Sequence, residues 1–314
     1  MERDDRGSFL RKNGRDEFPD MIQVRHLTKN YGNGKGIYDI SFEVGKGEIF
    51  GLVGPKGAGK TTVMRAVMGF LHPGYGTIKV SGKDGIQNPE FVQRIAGYLP
   101  ARGELPEEMT GMQFLRMMAK MRSMRSVEKA MRLCRHFSIQ PEVRISEMSR
   151  SGRQRLKIVT AFMHDPKLLL LDEPARGLDL LMQQQFLKLL REEKEAGKTI
   201  LLASPVFEVI DAACDRAGIL RNGTMIAVAS LSSIRDIKRS AYQITFQSER
   251  EALRFAKDEE EVREIFGNHV IVCVTGALKP LVERLADYEV AEFAAYPQRL
   301  EEILVHYYGG SYRA

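Results

Sequence analysis

The sequence predicts an α/β fold in which helices cover a mostly parallel sheet, with a small antiparallel layer before it. Three apolar runs carry this prediction: EIFGLV (Glu48–Val53), KLLLLDEP and TILLAS, each typical of a strand buried on both faces. Helical patterns at Thr61–Leu71 and Met182–Ala196 alternate with these runs, and such alternation indicates a parallel sheet. Upstream, MIQVRHL and IYDISFEV predict the strands of the antiparallel layer.

The chain of 314 residues is long enough for about two domains. Residues 1–20 carry five basic and six acidic residues with few large apolar ones, which predicts a mobile tail. Residues 21–235 form the predicted α/β domain, with an inserted helical, basic subdomain at about 103–157.

The pattern of apolar and polar residues changes after residue 236, and the pattern over residues 241–309 predicts a small C-terminal α+β domain. Within it, AYQITF alternates as a strand does, and a hairpin is expected around Gly267–Asn268. Helices are predicted at Leu278–Ala286 and Leu300–Tyr308.

Composition limits the class of protein without identifying a partner. A formal charge of +6 and a pI near 9.1 fit a nucleic-acid, nucleotide or anionic-membrane partner. Cys134, Cys214 and Cys273 are far apart and form no CxxC pair, so neither a zinc cluster nor a disulfide framework is predicted. No apolar run approaches membrane-spanning length, and we expect a cytoplasmic protein.

The stretch GPKGAGKTT (Gly54–Thr62) predicts a phosphate-binding loop, because it matches GxxxxGK[ST] between a buried strand and a helix. Its glycines allow successive N–H groups to turn toward phosphate oxygens, and the helix adds the positive end of its dipole. We expect Lys60 to reach the β- and γ-phosphates and the Thr61 hydroxyl to ligate Mg²⁺. The predicted nucleotide-binding residues of the loop are Gly54, Pro55, Lys56, Gly57, Ala58, Gly59, Lys60, Thr61 and Thr62.

Two carboxylates, Asp172 and Glu173, follow the second buried strand. Open α/β sheets bind ligands at the carboxyl ends of their strands, so we expect Asp172 to hold Mg²⁺, usually through water. Glu173 is suited to polarise an attacking water as a general base, with Lys60 as the second catalytic group. A salt bridge or a helix-start charge is the alternative for Glu173, and the neighbouring Asp172 argues against it.

The loop, followed by SRSGRQRLKIVTAFMHDPKLLLLDEPARGLD in this order and spacing, resembles the ATP-binding subunit of ABC transporters over about Met21–Ser232. The likeness is closest to subunits that serve permeases of the ABC-2 exporter type, which often carry a small C-terminal α+β domain. The resemblance implies a P-loop NTPase fold, ATP and Mg²⁺ as ligands, and a head-to-tail homodimer or heterodimer. It also implies a multi-spanning membrane permease as partner, a peripheral position on the inner face of the cell membrane, and no nucleic acid.

The resemblance assigns roles to residues outside the loop. Tyr31 is expected to stack on adenine, with an ordinary strand-end tyrosine as the alternative. Asp179 is expected in the turn that communicates across the dimer. The segment that meets the partner's ATP reads LSGGQ in the family and MSRSG here, so Ser149, Arg150, Ser151 and Gly152 are its candidates. Arg150 and Ser151 replace glycines, and a shifted register, Ser151–Gln154, still loses one.

Further departures concern hydrolysis. Ala101 stands where the family has a glutamine after GYLP, and Pro205 stands where a switch histidine follows LLAS. Proline offers no side-chain donor and no N–H. Lys56 replaces a small polar residue of the loop. The apparatus for binding a nucleotide is complete in the sequence, whereas the apparatus for cleaving it is not.

Three functions stay open at this point. The first is the ATPase subunit of an exporter, with slow hydrolysis. The second is a nucleotide-gated regulatory subunit that binds ATP and hydrolyses little of it. The third, a soluble ABC-type ATPase acting on nucleic acid or ribosomes, predicts long coiled coils, zinc spacings or tandem cassettes, and the sequence carries none of these.

Overall fold

The computed structural model describes residues 20–232, 241–258, 262–274 and 277–296. The predicted tail lies outside these residues except for Asp20, and so does the helix predicted at Leu300–Tyr308. The chain divides into two compact units. The first is made of the described residues of Met1–Ile49 and Thr61–Leu202, and the second of those of Phe50–Lys60 and Ala203–Ala314.

The described strands and helices follow one another along the chain. They are β1 (Ile22–Gly32), β2 (Lys35–Val44), β3 (Ile49–Val53), α1 (Lys60–Val67), β4 (Tyr75–Val80), β5 (Lys83–Asp84), α2 (Pro89–Ile95), β6 (Ala96–Leu99), α3 (Gly111–Met121), α4 (Glu128–His136), a 3₁₀ turn (Ile145–Glu147), α5 (Arg150–Phe162), β7 (Leu168–Asp172), α6 (Leu180–Glu195), β8 (Thr199–Ser204), α7 (Phe207–Ala213), β9 (Arg216–Arg221), β10 (Thr224–Ser230), β11 (Ala241–Phe246), α8 (Glu249–Asp258), β12 (Val262–Phe266), β13 (His269–Cys273), α9 (Lys279–Leu285) and β14 (Val290–Ala295).

The first unit contains an antiparallel sheet and a parallel one. Strands β2, β1, β4 and β5 lie side by side in that order, with Ile22 paired to Val44 on one side and to Val80 on the other. In the parallel sheet β6 runs alongside β7, and β8 lies next to β7. Every residue of β7 and β8 is buried, which explains why these strands read as continuous apolar runs.

The second unit places β3 parallel to β9, and β10 completes this part of the sheet as an antiparallel neighbour of β9. All five residues of β3 are buried, as its apolar sequence predicts. The same unit contains a four-stranded antiparallel sheet in the order β12-β13-β11-β14. Its core includes Ile244 and Phe246 from β11, Phe255 from α8 and Leu281 from α9. The hairpin predicted around Gly267–Asn268 is confirmed as the β12–β13 pair.

Helix α1 ends earlier than the sequence predicted. The apolar stripe continues to Leu71, but Gly69 adopts a left-handed conformation (φ 71°) and the N–H of Phe70 donates back to the carbonyl of Arg65. This arrangement is a glycine-terminated helix end, which satisfies the last carbonyls of the helix. The prediction through Leu71 was therefore wrong, because it followed the apolar stripe past the glycine.

In the helical segment of the first unit, α3 has a well-defined start. Thr110 caps α3 through a capping box, in which its side chain accepts from the N–H of Gln113 and the Gln113 side chain accepts from the N–H of Thr110. Helices α3 and α4 both pack against α5. These contacts fix the beginning of α5, where the predicted signature segment lies.

A cluster of four charged side chains joins α4 to the parallel sheet in the first unit. The Lys129 ammonium lies 2.7 Å from the Asp165 carboxylate and 3.0 Å from that of Glu193, and Lys198 pairs with the same two acids. The two lysines lower the pKa of Asp165 to about 2 by hydrogen bonding to it. The cluster therefore fastens the turn between α5 and β7 to the end of α6.

His164, in the same turn, is a largely buried histidine whose Nε2 lies 3.2 Å from the carbonyl oxygen of Ala96. Burial, helped by the nearby Arg122 cation, lowers its pKa to about 4. Between about pH 6.5 and pH 4 the unfolded chain takes up a proton that the folded chain does not. This histidine therefore makes the folded state less stable as the pH falls through that range.

We predict that His164→Gln makes stability less sensitive to acid. The free energy of unfolding of the native protein should fall by about 1–2 kcal/mol more than that of the variant between about pH 7 and pH 5. Glutamine retains an N–H donor for the Ala96 carbonyl, so loss of that hydrogen bond does not obscure the comparison. Urea unfolding at both pH values measures the effect, and equal pH dependence in the two proteins would contradict it.

Candidate active site

The stretch Gly54–Gly59 forms a tight loop that requires glycine. A Cβ atom at Gly54 would lie 2.1 Å from the carbonyl oxygen of Leu220, a distance that no side chain tolerates. Gly57 and Gly59 have φ values of 88° and 107°, which residues with a side chain rarely adopt. The loop is closed by a hydrogen bond from the N–H of Ala58 to the carbonyl of Pro55.

Lys60 is the first residue of α1, and its side chain folds back over the loop. Its Nζ donates to the carbonyl oxygens of Gly54, at 2.6 Å, and Pro55, at 2.9 Å. The residue is buried, so these carbonyls replace the water that an ammonium otherwise needs. Lys60 is thus held at the loop by its bonds to the backbone.

Thr61 and Asp172 meet, as their predicted shared role requires. The Thr61 hydroxyl donates to Oδ2 of Asp172 at 2.6 Å, although 111 residues separate the two in sequence. Asp172 is the last residue of β7 and is fully buried. A hydroxyl and a carboxylate are oxygen donors of the kind that Mg²⁺ prefers, so this pair fits the predicted ion.

Tyr98 is a neighbour of this carboxylate that the sequence did not single out. Burial and, after it, the charge of Asp172 raise the pKa of Tyr98 to about 12. The signal was present in the sequence only as the strand GYLP, because the pairing of Tyr98 with Leu170 depends on the β6–β7 register. A neutral phenol therefore lies close to the charge of Asp172.

Glu173 has a strained backbone and a bound side chain. Its φ of 50° is in the left-handed region, which is uncommon for a residue with a side chain and is often found at functional sites. Its carboxylate lies 3.3 Å from Nη1 of Arg176, three residues further on. The side chain of Glu173 is only 19% exposed. The salt bridge that the sequence offers as the alternative role of Glu173 is present in the structure, with Arg176 as the partner.

The predicted signature segment forms the beginning of α5. The Ser149 side chain accepts a hydrogen bond from the N–H of Gly152 at 3.0 Å and thereby caps the helix. Arg150, the first residue of the helix, is exposed. The hydroxyl oxygen of Ser151 is buried and has no hydrogen-bond partner among the described residues. The hydrogen bonds of Ser149 and Gly152 that the structure describes stay within α5.

The other predicted site residues lie at the ends of strands and helices. Tyr31 is 53% exposed near the end of β1, and Ala101 follows β6. Asp179 caps α6 by accepting from the N–H of Met182 at 2.9 Å. Pro205 follows β8 and is exposed. The hydroxyl of Ser204 accepts from the N–H of Val206 at 2.9 Å and so bridges the proline.

A glycine loop between a buried strand and a helix, with a threonine hydroxyl bonded to a buried strand-end aspartate, defines a P-loop nucleoside triphosphatase. The profile of the ABC transporter family matches residues 37–176. The chain is 32% identical over 212 residues to the ABC transporter ATP-binding protein NatA of Bacillus subtilis, covering 66% of this chain and 86% of that protein. The chain therefore belongs to the ATP-binding subunits of ABC transporters, and it is an ABC-type ATPase.

Two further comparisons agree with this assignment. The bacitracin transport ATP-binding protein BcrA of Enterococcus faecalis is 32% identical over 223 residues, which cover 70% of this chain and 72% of that protein. A solved structure of an ATP-binding subunit of an ABC transporter is 31% identical, with a TM-score of 0.62, over 68% of this chain and 92% of that one. Within the described residues, no helix has the length and apolar character needed to cross a membrane.

We predict that Thr61→Val destabilises the ligand-free protein, because it leaves the buried Asp172 carboxylate without the hydroxyl. A hydrogen bond to a charged group contributes about 1.5–3 kcal/mol, and the free energy of unfolding should fall by about that amount. Thr61→Ser keeps the hydroxyl and serves as the matched control, with a smaller loss expected. Urea unfolding without nucleotide or metal measures both variants. Equal losses in the two would show that the hydroxyl is not what matters.

Proposed function

We propose that this chain binds Mg-ATP and couples nucleotide-driven association of two ATP-binding subunits to the work of a membrane permease, in the manner of an exporter. The hydrogen bond between Thr61 and Asp172 carries the proposal, since it brings together the two predicted Mg²⁺ ligands. Thr61 directly follows the loop lysine in the chain. A bound Mg²⁺ would neutralise part of the phosphate charge.

The loop Gly54–Thr62 is the proposed phosphate site. Its lysine ammonium, now bonded to two loop carbonyls, is positioned for the β- and γ-phosphates. Tyr31 is proposed to stack on the adenine, and its exposed ring at the end of β1 supports this role. The charge-assisted contacts between an ammonium and phosphate oxygens are short and strong, so Lys60 should dominate the affinity for ATP.

The proposed partners are a second ATP-binding subunit and a multi-spanning permease on the inner face of the cell membrane. In the proposed head-to-tail pair, Ser149–Gly152 of one subunit meet the ATP of the other, and the exposure of Arg150 agrees with such a contact. The names of NatA and BcrA describe ATP-binding proteins of transporters, one of them for bacitracin transport, which supports work with a permease. We propose that residues 241–309 form an accessory domain that modulates dimerisation.

Hydrolysis by this chain is proposed to be slow. Glu173 is the proposed general base, which would take a proton from water as the water attacks the γ-phosphorus and ADP leaves. Pro205 offers no donor to the charge that develops on the transferred phosphoryl group, and Ala101 offers no side-chain amide. The loss of one preorganised donor typically costs about 10²–10³ in rate.

Arg176 gives a second reason for slow turnover. Its guanidinium lies 3.3 Å from the Glu173 carboxylate and restrains the group that must turn toward water. Because the Arg176 end of the pair is exposed to solvent, the pair is weak, at about 0–1 kcal/mol, so nucleotide binding is able to release it. This pair also favours the second candidate function, a regulatory subunit that responds to bound ATP and hydrolyses little of it. The rate of turnover separates the two functions.

We predict that Lys60→Ala lowers the affinity for Mg-ATP by about 100-fold, because two charge-assisted contacts worth about 1.5–3 kcal/mol each are weakened or lost. Lys46→Ala removes an exposed lysine just before β3 and is the matched control, with unchanged affinity expected. Titration calorimetry with Mg-ATP measures both. If Lys60→Ala binds as tightly as the native protein, the phosphate-loop assignment is wrong.

For hydrolysis we predict a slow native rate that Glu173→Gln abolishes and that Pro205→His and Arg176→Gln each raise. Pro205→His restores a donor. Arg176→Gln releases the Glu173 carboxylate while keeping a long polar side chain. Single-turnover hydrolysis of ATP measures all four proteins. Native turnover near the roughly 1–100 s⁻¹ of efficient phosphoryl-transfer enzymes, with no gain in either variant, would refute the proposal of a restrained site.

A further inference from the structure

The segment Met109–Val127, which contains α3, carries four basic residues and no acidic residue, together with six of the protein's fifteen methionines. None of these basic residues has a role in the proposed nucleotide site. We define the basic methionine surface as Arg116, Lys120, Met121 and Arg125. All four residues are exposed, and Met121 is 73% exposed, among the highest values for a large apolar side chain in the described chain.

The geometry of α3 turns two members of this surface, Arg116 and Lys120, away from the core. Phe114, Leu115 and Ala119 are buried and fix the orientation of the helix. Arg116 and Lys120 are four residues apart, so they lie about 5–6 Å from each other on the opposite side. After the helix, the N–H of Met124 donates to the carbonyl of Ala119 at 2.9 Å, which closes the turn that leads to Arg125.

The fourth basic residue of the segment, Arg122, has a structural role. Its guanidinium points inward and donates to the carbonyl oxygens of Gln93 and Ala96 at 3.1 and 3.3 Å. In contrast, Arg116, Lys120 and Arg125 form no ion pair with any of the described residues. Lys120 lies in the last turn of α3 and complements the helix dipole, but this does not account for the other two cations or for Met121.

We propose that the basic methionine surface binds the headgroups of anionic phospholipids directly. Three unpaired cations match a negatively charged membrane surface, and each basic residue near such a surface raises binding by about fivefold. Met121 adds a flexible apolar side chain suited to the boundary between headgroups and acyl chains. The surface carries no aromatic side chain on which a base would stack, which argues against a nucleic acid. This contact goes beyond the proposed function, which requires only a permease at the membrane.

The test uses the full chain and lipid vesicles that contain neither permease nor nucleotide, so its result is independent of the proposed function. Vesicles with about a third phosphatidylglycerol should bind the protein about 100-fold more tightly than pure phosphatidylcholine vesicles at low salt. This preference should largely disappear in about 1 M salt, where the screening length falls to about 3 Å. Co-sedimentation measures the bound fraction.

Two variants assign the binding to this surface. The triple change Arg116→Gln, Lys120→Gln and Arg125→Gln should abolish the preference for anionic vesicles while circular dichroism and ATP affinity stay unchanged. The control Lys35→Gln, Lys46→Gln and Lys79→Gln removes the same number of charges from exposed lysines of the first unit outside the helical segment and should leave the preference intact.

Three outcomes would overturn the proposal. The first is equal binding to anionic and neutral vesicles, and the second is full retention of the preference by the glutamine variant. The third is binding to polyglutamate in place of vesicles, which would assign the surface to an acidic protein partner.

Discussion

The buried carboxylate of Asp172 is the constraint on which the site depends. A carboxylate removed from water is costly unless hydrogen bonds compensate it, and the Thr61 hydroxyl supplies one at 2.6 Å. For this bond to form, the first turn of α1 must lie at the carboxyl end of β7. The pairing of β6 with β7 brings Tyr98 close to this charge, and burial followed by Asp172 raises the pKa of its phenol to about 12. The two proposed Mg²⁺ ligands are thus brought together by the fold.

The departures from the family pattern fall on the catalytic side of the site. The loop glycines, the loop lysine and the threonine–aspartate pair match the pattern apart from Lys56, and under the proposed function Pro205, Ala101 and the Glu173–Arg176 pair affect the handling of water and of developing charge. Binding and turnover depend on different interactions, because only contacts that strengthen in the transition state accelerate chemistry. Under the proposed function, the free energy of nucleotide binding stays available for conformational work even with slow hydrolysis.

The net charge of the protein is distributed unevenly, and this bears on where the subunit works. Lys129 and Lys198 are neutralised by Asp165 and Glu193, and Arg153 pairs with Glu107. The cations of the basic methionine surface have no such partners among the described residues. Charges that are paired inside the fold stabilise it, while unpaired surface charges determine long-range attraction to other molecules.

The sequence by itself determined the local features: the phosphate loop from its glycine spacing, β3, β7 and β8 from their apolar runs, and the β12–β13 hairpin from Gly267–Asn268. Each of these rests on neighbours a few residues apart, and so a short pattern is enough. The tertiary structure decided which distant residues meet. Thr61 and Asp172 lie 111 residues apart, and the Tyr98–Leu170 register is set by strand pairing that no local pattern encodes. It also decided that Arg176 holds Glu173, since only the backbone conformation of the turn brings the two charges together.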